Sequence, residues 1–127
     1  FLALVAVIAA IIANEVILLL HKGQLLDPEQ ATHLYNRNDA VFVDLRGEND
    51  YLSAHLPGAV NLPLAQLEQK VEKLKQYGGR PVILYYDSEY QARKAGTRLK
   101  KLGMENIYQL KGGIGAWQNA GLPTKSK

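Results

Sequence analysis

Apolar positions follow two unlike regimes along this chain. Residues 1–20, FLALVAVIAAIIANEVILLL, are apolar everywhere except Asn14 and Glu15. A helix of that length rises about 30 Å, which matches the hydrocarbon core of a bilayer. Residues 1–20 are therefore predicted to form one transmembrane helix. A cleavable secretory leader is the competing reading. Its apolar core usually spans about 7–15 residues, shorter than this run, and Ile11-Ile12-Ala13 makes a poor cleavage site. Residues preceding Phe1 are expected. Ala3, Ala6, Ala10, Ala13 and Ile17 fall on one helical face, where small side chains let another helix approach closely. Asn14 lies beside that face and is suited to bond across it. Glu15 points elsewhere, either to a partner or toward headgroups, since a carboxylate deep in lipid is costly.

Residues 21–24 form a linker that extends to at most about 14 Å. The remainder must hang close to the helix end, and Lys22 favours its cytoplasmic placement. Asp27-Pro28-Glu29-Gln30 signals a helix start, with Asp27 as cap, Pro28 at the first position and Gln30 completing a capping box. That helix is expected to reach Tyr35. Residues 40–44 (AVFVD) read as a buried strand and 48–54 as a short helix closed by the His55-Leu56-Pro57-Gly58 turn. Residues 59–62 read as another strand. Leu64, Leu67, Val71 and Leu74 keep helical spacing over 64–77, which ends at Gly78-Gly79. Residues 81–86 (PVILYY) are the strongest strand. Residues 90–102 form an amphipathic helix, with Ala92, Ala95, Leu99 and Leu102 inward and Arg93, Lys94, Arg98, Lys100 and Lys101 outward. A strand at 107–110 and a helix at 114–120 carrying Trp117 complete the pattern. Strands alternating with helices predict an α/β fold with a mostly parallel sheet covered on both faces.

Composition narrows the chemistry. The 127 residues are enough for one domain and not two. Fifteen basic and 12 acidic residues leave a net charge of +3, too small and dispersed to argue for nucleic acid, so no nucleic-acid partner is expected. There is no cysteine, which removes disulfides, thiolate metal sites and thiol catalysis together. No metal-ligand spacing, phosphate-binding glycine loop or repeat appears, so neither a metal nor a cofactor is expected.

Two groups of motifs resemble a known family. Val43-Asp44-Leu45-Arg46, Glu48, Tyr51 and His55-Leu56-Pro57-Gly58-Ala59-Val60-Asn61 resemble the first signature of rhodanese-like domains. Leu110-Lys111-Gly112-Gly113-Ile114 through Trp117, then Ala120-Gly121-Leu122-Pro123, resemble the closing signature. The resemblance implies a five-stranded parallel sheet flanked by helices over residues 25–124, preceded by the transmembrane helix and followed by a basic tail at 125–127. The arrangement is also similar to single-domain rhodaneses that bacteria tether by one N-terminal helix. That similarity implies a single-pass protein of the bacterial inner membrane.

In that family a cysteine ending the central strand takes up sulfane sulfur as a persulfide, and the loop after it carries an arginine five positions on. Laid on this sequence, the pattern puts Tyr86 at the cysteine and Gln91 at the arginine. The loop reads Tyr86, Asp87, Ser88, Glu89, Tyr90, Gln91. Asp87 and Glu89 would repel an anionic substrate such as thiosulfate. The Ser88 hydroxyl is a poor sulfur acceptor and lacks an activating base: His21 is at the membrane, His33 is on the first helix, and His55 belongs to a turn that it is expected to hold. Asp44 and Arg46 are expected to form a structural pair, the alternative being that Arg46 lines the old site pocket. Trp117 is expected in the core. The basic face Arg93, Lys94, Arg98, Lys100 and Lys101 is either a solvated surface or a contact with anionic lipid.

These residues lead to an expected pseudo-sulfurtransferase with no catalytic residue, acting as an accessory or binding subunit of a membrane complex. An integral membrane protein would dock on the N-terminal helix. Two alternatives stand beside it: a thiosulfate or persulfide sulfurtransferase whose cysteine has been replaced, and a small-ligand sensor using the vestigial loop.

Overall fold

The computed structural model describes residues 2–21 and 25–126, with side chains for 2–12 and 25–126. The first helix, α1, spans Leu2–His21, one residue along from the expected 1–20. Every described side chain on it is exposed, from Leu2 to Ile12. Among the described residues no helix is long and apolar enough to cross a membrane. The expectations for Ala13, Asn14, Glu15, Ile17 and residues 22–24 lie outside the described residues. Ala3, Ala6 and Ala10 are exposed.

Five parallel strands in the order β1-β5-β4-β2-β3 form the sheet. The strands are β1 (Leu25–Leu26), β2 (Val41–Asp44), β3 (Val60–Asn61), β4 (Val82–Tyr85) and β5 (Ile107–Leu110). Every residue of β2 and β4 is buried, because helices cover both faces of a parallel sheet. Alternation along these strands sends Val41, Val43, Val82 and Leu84 to one face, where they join Leu67, Val71, Leu74, Ala92, Ala95 and Leu99. Phe42, Ile83 and Tyr85 go to the other, with Ala31, Leu56 and Trp117. Trp117 is thus a core residue, its indole in a T-shaped contact with Phe42 and its Nε1–H donating to Pro123 O.

The helices differ from expectation mainly at their ends. In α2 (Pro28–Asn38) the capping box forms as expected, but the helix runs past Tyr35 until Asp39 adopts a left-handed conformation. The single helix expected at 64–77 is split. Pro63 opens a 3-10 turn at Leu64–Gln66, and only then does α4 (Leu67–Lys75) begin. A short helix α3 (Glu48–Ser53), then α5 (Glu89–Lys101) and α6 (Gly113–Asn119), stand within two residues of their expected bounds. Leu102 is the C-cap of α5; half-buried, it packs against the core face that holds Leu99, as expected.

Candidate functional site

The carboxyl ends of β2 and β4 are joined by a buried polar network. Their register pairs Asp44 with Tyr85. Asp44 is fully buried, and so is Tyr85. The Asp44 carboxylate accepts from the Arg46 backbone N–H at 2.9 Å, Arg46 Nε at 3.0 Å, Arg46 Nη2 at 2.7 Å and the Tyr85 hydroxyl at 2.9 Å. The Tyr85 oxygen in turn accepts the Leu56 N–H at 3.1 Å. Arg46 also donates to the carbonyls of Asp50 and Ala54. The hydrogen bond to Asp44 raises the Arg46 pKa above its ordinary range, against the opposing effect of burial. Burial, reinforced by the Asp44 charge, holds the Tyr85 hydroxyl protonated well above the usual tyrosine range. Arg46 therefore serves structure, its guanidinium directed inward and 8% of the residue exposed.

The loop after β4 is closed by its own side chains. Tyr86 is half-buried and packs against the core face that holds Leu84 and Ala92. Ser88 caps α5, its hydroxyl accepting the Gln91 N–H at 3.3 Å. That cap engages the hydroxyl considered above as a nucleophile. Glu89 Oε1 accepts the Gly112 N–H at 3.1 Å, linking the loop to the turn before α6. Gly113 sits at φ +60°, and a β-carbon there would lie 2.5 Å from Tyr86 O. Only glycine fits both the conformation and the close approach. Asp87 is exposed, Tyr90 is 62% exposed with Lys94 Nζ 5.3 Å from its ring centroid, and Gln91 is half-buried.

Elsewhere the singled-out residues separate. On α5, Arg93 and Lys94 lie near the amino end and Lys100 and Lys101 at the carboxyl end. Arg98 is drawn off to Glu68 of α4, its Nε donating to Oε1 at 2.8 Å, and that bond lowers the Glu68 pKa. His55 stacks on Tyr51 at 4.0 Å between centroids and places Nδ1 2.7 Å from Tyr51 O. A carbonyl only accepts, so Nδ1 carries the proton. Lys125, expected to open a basic tail, is instead tied by a pair of backbone hydrogen bonds to His55, each 2.8 Å.

Sequence reasoning missed Tyr85, whose role needs the strand register, and a groove of about 530 Å³ lined by Glu48, Tyr51, Asn61, Gln66 and Lys70. No residue of the 86–91 loop lines that groove. Gln66 Oε1 is buried there without a hydrogen-bond partner among the described residues, and no sequence signal marks it.

The profile of the rhodanese-like domain matches residues 27–120. The uncharacterized protein YibN of Escherichia coli strain K12 is 30% identical over 123 residues, covering 96% of this chain and 86% of YibN. A tRNA uridine(34) hydroxylase of Buchnera aphidicola is 32% identical over 96 residues, 72% of this chain but 31% of the hydroxylase. Among solved structures, a thiosulfate sulfurtransferase from Pseudomonas aeruginosa superposes with a TM-score of 0.70 at 30% identity, over 81% of this chain and 20% of that one.

Proposed function

The chain belongs to the rhodanese-like domain family, and from that premise we propose that it is a catalytically inactive, membrane-anchored member acting as an accessory subunit of a membrane protein complex. The observation that carries the reading is Tyr86, the first residue after the central strand β4, at the position of the family's sulfur-accepting thiol. A phenol oxygen is hard and poorly polarisable, a poor acceptor for sulfane sulfur. The loop's own closure supports the same conclusion. Glu89 holds the Gly112 N–H and Ser88 caps α5, which leaves those two groups engaged within the protein.

The anchoring part of the proposal rests on α1. Its positions 2–12 are all apolar and all exposed, Leu2 at 81% and Ile12 at 57%. A helix apolar on every side needs a cover of lipid or protein. In this reading the Ala3, Ala6 and Ala10 face meets a partner helix, and Lys22 keeps the domain cytoplasmic. The test is transfer of sulfur from thiosulfate to cyanide by the detergent-purified chain, alongside recovery of copurifying membrane proteins. The expected result is no turnover above a heat-treated control and a stoichiometric partner. Turnover above that control overturns the reading.

A further inference from the structure

We propose that the amino edge of the sheet is a lipid-docking surface that takes anionic phospholipid headgroups and turns the 86–91 loop away from the bilayer. The proposal rests on the anchoring reading above and adds an orientation to it. All five strands are parallel. Each of α2, α4 and α5 returns the chain from the carboxyl end of one strand to the amino end of the next. Their carboxyl termini therefore gather at one edge of the sheet. The last turns there carry Arg37 from α2, Lys73 and Lys75 from α4, and Lys100 and Lys101 from α5. Arg80 joins them just before β4.

The acids at that edge are Asp39, Glu72 and Glu105. Asp39 pairs with Arg80 and Glu72 with Lys75, each at 3.4 Å. Arg37, Lys73, Lys100 and Lys101 are exposed and have no ion-pair partner among the described residues, and Glu105 alone opposes them. Compensation of the helix dipoles explains a cation at each helix end; it does not explain a shared surface with a net excess. At the opposite edge Glu48, Asp50, Asp87 and Glu89 share the surface with Lys70, Arg93, Lys94 and Lys111. Charges of both signs mix there, and the cationic excess lies at the amino edge.

The same edge is where the chain from α1 arrives. β1 is parallel to the other strands, so the amino side of Leu25 faces the basic edge. A short tether thus delivers four cations without ion-pair partners among the described residues toward the membrane, each favouring an anionic surface by about fivefold. Arg93 and Lys94 lie toward the far end of α5 and do not join this surface, so the lipid contact expected along the whole α5 face is replaced by one spread over three helix ends.

The absence of cysteine makes a single introduced thiol a unique label site. The full chain would carry a fluorophore through Glu105→Cys or, separately, Asp87→Cys, and be reconstituted with vesicles containing headgroup-quencher lipid. One set would be phosphatidylcholine alone and the other would include phosphatidylglycerol. The label at position 105 is expected to be quenched more on the anionic vesicles, and the label at position 87 to be equally unquenched on both. High salt, or Lys73→Gln, Lys100→Gln and Lys101→Gln together, should return the first signal to its neutral-vesicle level, with circular dichroism confirming that the triple variant is folded. Equal quenching at both positions, or quenching that survives the triple substitution, overturns the proposal. Flotation separates the two readings. A chain that fails to float with phosphatidylcholine vesicles sinks the anchoring alone; anionic vesicles then decide the basic edge, flotation supporting it and its absence overturning it.

Discussion

Tyr85 and Asp44, 41 residues apart, meet across adjacent parallel strands with the phenol donating to Asp44 Oδ2 at 2.9 Å. The bond closes a network that otherwise belongs to the β2 turn. It ties the central strand to the Arg46 side chain, and through the Leu56 N–H to the turn before β3. The carboxyl ends of β2 and β4, from which the 86–91 loop springs, are held by these buried groups.

Tyr85→Phe is expected to destabilise the domain by about 1–3 kcal/mol, because it leaves the buried Leu56 N–H unpaired and Asp44 short of a donor. Asp44→Asn is expected to cost more, about 3–5 kcal/mol, since it leaves the buried Arg46 charge uncompensated. Chemical denaturation of the full chain in mild detergent measures both. Equal effects from the two substitutions would contradict the network described.

The raised Tyr85 pKa has a defined pH signature. In the unfolded chain tyrosine ionises near pH 10, while in the fold it stays protonated to higher pH. The stabilisation is therefore fully present below about pH 10 and is lost as pH rises beyond it, because the unfolded state releases the proton first. Native chain and Tyr85→Phe should differ in stability by a constant amount up to that point and converge above it. A gap that widens with alkalinity would be inconsistent with a buried neutral phenol.

Gly113 is a second testable contact. Gly113→Ala brings a β-carbon 2.5 Å from Tyr86 O at a positive φ, and a loss of at least about 1–2 kcal/mol is expected from the backbone conformation alone. Gly115→Ala, with nothing within 4 Å, serves as the control. It should be neutral or stabilise by up to about 1 kcal/mol as a helix interior substitution. Similar melting shifts for both would show that the approach to Tyr86 is unimportant.

Restoring the thiol tests the reading of the loop. In Tyr86→Cys the introduced thiolate is expected to attack the sulfane sulfur of thiosulfate and expel sulfite, gaining the mass of one sulfur atom slowly. Adding Asp87→Asn should speed the gain by roughly two- to tenfold through removal of a repelling charge. Mass spectrometry over time provides the rates. No acceleration would mean that the exposed carboxylate does not govern anion entry.

Gln66→Met removes the buried acceptor that lacks a partner. A stabilisation of about 1 kcal/mol is expected, since the group's desolvation is otherwise uncompensated. Thermal unfolding is the measurement, and a clear loss of stability would mean that Gln66 Oε1 is satisfied in solution.

What was legible in the chain and what was not divides along the range of the interactions. The capping box of Asp27 and Gln30, the buried runs of β2 and β4 and the inward stripe of α5 are local: a cap, an alternation or a helical period decides each within a few residues. So is the placing of Tyr86 at the family's cysteine position, which follows from motif spacing. β1 has two residues, Leu25 and Leu26, and exists as a strand only because β5 pairs with it; no periodicity can announce so short an element. Arg98 reads as one more cation on a basic face until Glu68, 30 positions away, takes it. The Asp44–Tyr85 bond and the collection of Lys73, Lys100 and Lys101 at one edge likewise depend on strand register and the common polarity of the helices. Local sequence determined most of the elements, the family motifs and the tyrosine at position 86. Only the tertiary structure decided which charges are neutralised and which share a surface, because long-range pairing sets those distances.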